Sequence, residues 1–220
     1  MTRHEDELRK FKETLLMMGS YAESAVGQAI ESVTDRDDQL SQQVQDNDDI
    51  MDQYEIDIDE MAINLLSKAP LATELRLITV AMKISQNLER IGDEATTIAR
   101  RAMELNAEPQ LKSYIDIPRM AAIATTMLKE SLDAFVNKDA EKARAIIPRD
   151  KEVDALNRQL YRELSSFMIE NPSNIGRCLN LMTVSKCLER VADHATNIAQ
   201  EVVYLCEARD IRHEAIKMVP

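Results

Sequence analysis

Glycine and proline are scarce in this chain, four and six among 220 residues. So few turn-formers leave little room for the frequent reversals of an all-β fold. Tryptophan is absent and only three Phe and five Tyr are present, which again disfavours strands, whose half-buried faces favour aromatic and β-branched side chains. No Lys/Arg cluster occurs and the formal net charge is −12, so neither nucleic acid nor an anionic membrane is expected as a direct partner. The longest strongly apolar run, around 77–82, falls far short of the roughly 20 residues a spanning helix needs. The opening MTRHEDELRKF is too charged for a secretory signal. These absences point to a soluble, cytoplasmic protein without membrane insertion. The three cysteines, Cys178, Cys187 and Cys206, stand 9 and 19 residues apart on one predicted helix. That spacing suits neither a disulfide pair nor a C-x-x-C metal site, and they read as small buried residues.

What is present favours long helices: 45% apolar residues, 30% charged residues and twelve Met. A first helix from about Glu5 to Val33 carries Phe11, Leu15, Met18, Ala22, Ala25, Ala29 and Val33 at near-heptad spacing. A second runs from about Asp38 to Lys68, with the seam Leu40, Val44, Asp48, Met51, Glu55, Ile58, Ala62, Leu65. A third runs from about Leu71 to Asn106, along Leu75, Ile78, Met82, Ser85, Glu89, Gly92, Thr96 and Ala99. Acids therefore stand at core-facing positions in both the second and the third helix.

Residues 107–117, with Pro109 and then Pro118, form the one convincing linker, and a fourth helix starts near Asp116. Beyond it the chain retraces itself. Met120 answers Met18, Asp150 answers Asp48 and Pro172 answers Pro70 at an offset of 102; LERVADHATNIA (188–199) answers LERIGDEATTIA (88–99) at an offset of 100. The fifth helix keeps the acid at Asp150 on its seam, and Asn157 replaces the acid of Glu55. The expected architecture is all-α, a tandem duplication of a three-helix bundle with six long helices, the first over residues 1–108 and the second over 109–220.

Each repeated motif sets two carboxylates one helical turn apart, Glu89 with Asp93 and Glu189 with Asp193. Like charges at that spacing repel by about a few tenths of a kcal/mol, which a bound cation would relieve. Folding the second helix back on the third about Pro70 sets Asp52 beside Glu89 and Asp48 beside Asp93. The same construction about Pro172 sets Asp154 beside Glu189 and Asp150 beside Asp193. A lone E-x-x-x-D in a chain with 39 acidic residues is most often a solvated face neutralised by neighbours such as Arg90 or Arg190. Here the acids fall on seam positions, face one another and recur, and buried unpaired carboxylates would be heavily penalised. All-oxygen ligation points to a hard or borderline divalent or trivalent cation: Mg, Ca, Mn, Fe or Zn. His194 follows Asp193 directly and so points to a neighbouring face.

The two motifs, the APLATELR turn before the first, and ENPSNIGRCLNL and YLCEARDIRH around the second resemble the PhoU family over essentially the whole chain. These are accessory regulators of phosphate-specific transport. The resemblance implies two similar three-helix bundles. It places the family's metal-binding E(D)xxxD signature on Glu89 with Asp93 and Glu189 with Asp193, and the partners on Asp48 with Asp52 and Asp150 with Asp154. It also implies negative regulation of the phosphate-starvation response, exerted with the phosphate ABC transporter, through its ATPase subunit, and with the phosphate-sensing histidine kinase. A homodimer is expected. Gly92 becomes Ala192, and Asn157 stands where Glu55 does, so the two sites need not be equal.

A rival class is the carboxylate-bridged metalloenzyme of the helical-bundle type, which would want Glu-x-x-His pairs. No Glu or Asp lies three residues before a His at matched positions in both halves. There is no Gly-rich phosphate loop, Ser-His-Asp set or exposed nucleophilic Cys, so an enzyme is not expected.

Overall fold

The computed structural model describes residues 3–68 and 71–212, and among them every regular element is helical. The first half comprises α1 (Arg3–Thr34), α2 (Asp38–Asp46), α3 (Asp48–Leu66) and α4 (Ala72–Asn106). The second comprises α5 (Asp116–Asn137), α6 (Ala140–Ile146), α7 (Asp150–Glu170) and α8 (Ile175–Glu207). The six expected rods are there, and the second and fifth are each broken in two.

The starts follow from local chemistry. The Asp37 carboxylate accepts the N–H groups of Gln39 (2.9 Å) and Leu40 (3.0 Å), and Asp139 accepts that of Lys142 (2.9 Å), so an Asp caps each broken rod. The first break is at Asn47, whose backbone leaves helical geometry (φ −95°, ψ 6°) and whose carbonyl accepts the Ile50 N–H and the Tyr21 hydroxyl. The second is a 3-10 turn, Ile147–Arg149, centred on Pro148, which has no N–H to continue an α-helix. A seam pattern alone hides both breaks, because the apolar spacing runs on through them.

The expected seam is largely buried: Phe11, Leu15, Met18, Ala22, Val33, Met51, Ile58, Ala62, Ile78 and Ala99 are closed off from water. Leu75 departs from expectation at 45% exposure, lying in the first turn of α4, before that helix is covered. Across the halves, α4 packs along α8 and α1 along α5, so the buried side chains form one continuous core. The connection 107–115 is held by Arg36, which donates to the Asn106 and Glu108 carbonyls (2.7 and 2.6 Å), and by Arg177, which donates to the Pro109 carbonyl (2.9 Å).

The α4–α8 contact is polar along its rim. Arg190 pairs with Glu94 (3.1 Å), and a nitrogen of the His194 ring stands 2.9 Å from the Asn87 amide oxygen. Glu201, only 4% exposed, is met by Lys83 (3.1 Å) and by Arg212 (3.0 Å). None of the cysteines is in a disulfide; Cys178 and Cys187 are buried and Cys206 is half-buried.

Candidate metal centres

Both repeated motifs sit mid-helix, on α4 and α8, where the inward faces are fixed by Leu88, Ile91 and Ala95 and by Leu188, Val191 and Ala195, all buried. That anchoring turns Glu89 and Glu189 towards the neighbouring rods, and each side chain is only 15% exposed.

In the second half the acids come near one another, with Asp154 acting on Asp193 more strongly than Asp150, the acid that the hairpin construction sets beside it. The Asp193 carboxyl is pushed up to about 6 by partial loss of water, then by Glu189, Asp154 and Asp150, with Lys186 opposing. Asp150 is raised as well, chiefly by desolvation, with Asp154 adding to it. The Lys186 ammonium contacts Glu189, and Arg158 lies 3.7 Å from Asp154.

The first half sets Asp48 nearly one turn further along α4 than the hairpin construction does. The Thr96 hydroxyl donates to Asp48 (2.8 Å), so Asp48 lies opposite Thr96 and reaches Asp93 only across a shared recess. Beside it Met51 packs closely over Gly92, where a Cβ would lie 2.8 Å from the Met51 Cγ. The corresponding positions in the second half hold Val153 and Ala192, both buried.

Glu55 joins the first group. Glu89 is pushed up to about 7 by burial, then by Asp93, with Glu55 and Asp52 adding to it and Arg90 opposing. Glu55 is itself raised, by burial and then by Asp59. Sequence reasoning had Glu55 on the seam and left it out of the site; its seam position was the signal that could have placed it there. Arg90 spans the motif, 3.3 Å from Glu89 and 3.1 Å from Asp93, where a cation would relieve their repulsion. His194 faces Asn87, and burial lowers its pKa.

As placed, no three His, Cys, Asp or Glu side chains among the described residues stand close enough together to hold a metal ion. The carboxylates are instead engaged by Arg90, Lys186 and Thr96. The donor set still fits a hard cation, because each half gathers carboxylates that resist ionising together, with no sulfur; His194 lines the recess of Asp48 and Asp93, but its ring nitrogen is engaged by Asn87.

The family model described as the PhoU domain matches residues 15–102 and 117–202. The phosphate-specific transport system accessory protein PhoU homolog of Pseudomonas aeruginosa is 40% identical over 209 residues, covering 94% of this chain and 86% of that relative. The Aquifex aeolicus protein of the same description is 38% identical over 212 residues, covering 96% of each. A crystal structure of PhoU from Pseudomonas aeruginosa matches at a TM-score of 0.90 and 38% identity, over 94% of this chain and 100% of that one. Both halves of the chain match the domain and relatives align nearly end to end: the chain belongs to the PhoU family.

Proposed function

We propose that this chain is a metal-binding accessory protein of phosphate-specific transport and a negative regulator of the phosphate-starvation response. In this reading it is a cytoplasmic adaptor between the ATPase subunit of a phosphate ABC transporter and a phosphate-sensing histidine kinase. The observation that carries the transport role is the near full-length match to relatives named for it. No helix among the described residues is long and apolar enough to cross a membrane, which agrees with an adaptor docking on membrane partners from one side. Acidic faces engaging basic partner patches would give contacts that weaken as salt rises.

The metal-binding part of the proposal rests on the raised carboxyls of Glu89 and Asp193 and their neighbours. Asp48, Asp52, Glu89 and Asp93, with Glu55 added, would hold an ion in the first half; Asp150, Asp154, Glu189 and Asp193 would do so in the second. A bound di- or trivalent cation supplies the positive charge that Arg90 and Lys186 now supply. Nothing in either group offers a nucleophile or an imidazole pair, which favours a structural or regulatory ion over the metalloenzyme reading.

Deletion of the gene tests the regulatory role: starvation genes should stay expressed when phosphate is plentiful, and the protein should pull down transporter ATPase and kinase at low salt. Starvation genes still repressed after deletion, with neither partner captured, would overturn it.

A further inference from the structure

The duplication places the same recess in both halves, between the rod-two helix and the long helix that follows. Two of its positions correspond directly: Glu55 and Gln86 in the first half, Asn157 and Lys186 in the second. The chemistry, however, is inverted. The first recess holds Glu55 and Glu89 with a single cation, Arg90, and the neighbouring positions on α3 are Ile56, Asp59 and Glu60. In the second half those three positions are Arg158, Tyr161 and Arg162. The second recess is lined by Asn157, Arg158, Tyr161, Arg162 and Lys186, three cations and no carboxylate. This runs against the character of a chain with a net charge of −12.

We propose that this second recess is a binding site for a phosphorylated small molecule bearing a flat ring, of the nucleoside phosphate class. Its volume of about 440 Å³ lies within the usual range for small-molecule sites and far exceeds what a bare phosphate ion would fill.

The donors are in place. Arg158 is only loosely held by Asp154, at 3.7 Å, and Lys186 is shared with Glu189. Arg162 pairs with no carboxylate among the described residues, so its planar fork can take two phosphate oxygens at once. Asn157 receives the Ser185 hydroxyl on its amide oxygen (2.6 Å), which leaves the amide N–H₂ to donate into the recess. Tyr161 is 37% exposed, and its hydroxyl reaches the Met182 carbonyl (3.4 Å), which leans the ring against α8. An exposed ring beside guanidinium groups is the surface on which a base stacks while its phosphates meet the cations.

The test uses the full chain with chelator present, so that no metal at the carboxylates can capture phosphate. Adenosine diphosphate, inorganic phosphate and adenosine are titrated separately by calorimetry at low salt. Adenosine diphosphate should bind saturably, and both fragments should bind more weakly. Arg162→Glu, which installs the acid of the first half at an exposed position, should weaken adenosine diphosphate binding at least about tenfold. Tyr161→Leu should weaken it while leaving the response to inorganic phosphate unchanged. Restoring all four first-half residues (Asn157→Glu, Arg158→Ile, Tyr161→Asp, Arg162→Glu) should abolish binding, with an unchanged helical circular dichroism signal showing that the fold persists. Absence of saturable adenosine diphosphate binding at millimolar concentration overturns the site, as does binding indifferent to Arg162→Glu. Inorganic phosphate bound as tightly as adenosine diphosphate, with Tyr161→Leu silent, overturns the nucleoside phosphate class.

Discussion

The two halves of this chain were built to one plan and have separated in one respect. Both keep three rods, an Asp capping the start of a broken middle rod, and a glutamate–aspartate pair one turn apart on the last rod with the glutamate turned inward. What changed is the fill around that plan. Met51 over Gly92 became Val153 and Ala192. Glu55 became Asn157, and an acidic flank became Arg158, Tyr161 and Arg162. Packing tolerates exchange only in compensating pairs, so the core drifted together. Exposed charge costs little to change, so the flanks were free to reverse.

The comparison can be broken first at the core. Leu88 and Leu188 are both fully buried at matching positions. Leu88→Ala and Leu188→Ala should each cost about 2–5 kcal/mol in urea unfolding, with similar values. A clearly smaller cost in one half would mean that the halves are not packed alike.

Metal should come next. Metal at about 100 times its Kd adds about 2.7 kcal/mol to stability. Differential scanning calorimetry of chelator-treated protein should show the melting temperature rise on adding back metal. Glu89→Ala with Asp93→Ala should remove part of the rise, and Glu189→Ala with Asp193→Ala another part; the unequal surroundings predict unequal shares.

The packing pair sharpens the comparison further. Gly92→Ala crowds Met51, and Met51→Val, the residue of the second half, should make room for it. A double-mutant cycle should return a favourable coupling of about 1 kcal/mol. Strict additivity would mean that Met51 and position 92 are not packed against each other.

The smallest effect is in pH. In metal-free protein the folded carboxyls of Glu89 and Asp193 lie at about 7 and 6, above their unfolded values. The folded state therefore holds more protons than the unfolded state between about pH 4 and 7. The stability they contribute is complete below that window and is lost as pH rises through it. Melting temperature followed from pH 5 to pH 7.5 should fall, and Glu89→Gln should flatten the first half's share of the slope.

The rods, the linker and the duplication were legible because apolar spacing and the placement of proline report directly on helices and their ends. Asp48, Glu55, Glu89 and Asp150 were legible as acids on a seam, and each is half-buried, whereas Asp52 and Asp193 are exposed. Three things were not. The break at Asn47 is made by backbone geometry and a tyrosine from α1, neither of which leaves a mark in the spacing. The close seating of Met51 on Gly92 is a matter of shape that polarity patterns do not carry. The third is the cation of the second motif: Arg190, expected to neutralise it, goes across to Glu94 on α4, and Lys186 meets Glu189 instead.

The central claim is that each half gathers its carboxylates to hold a cation. It is tested most directly by elemental analysis of protein purified without chelator, alongside the two double variants. The account predicts at least one di- or trivalent metal ion per half, with Glu89→Ala and Asp93→Ala removing the first half's share and Glu189→Ala and Asp193→Ala the second's. Metal content left unchanged by both pairs of substitutions would contradict it.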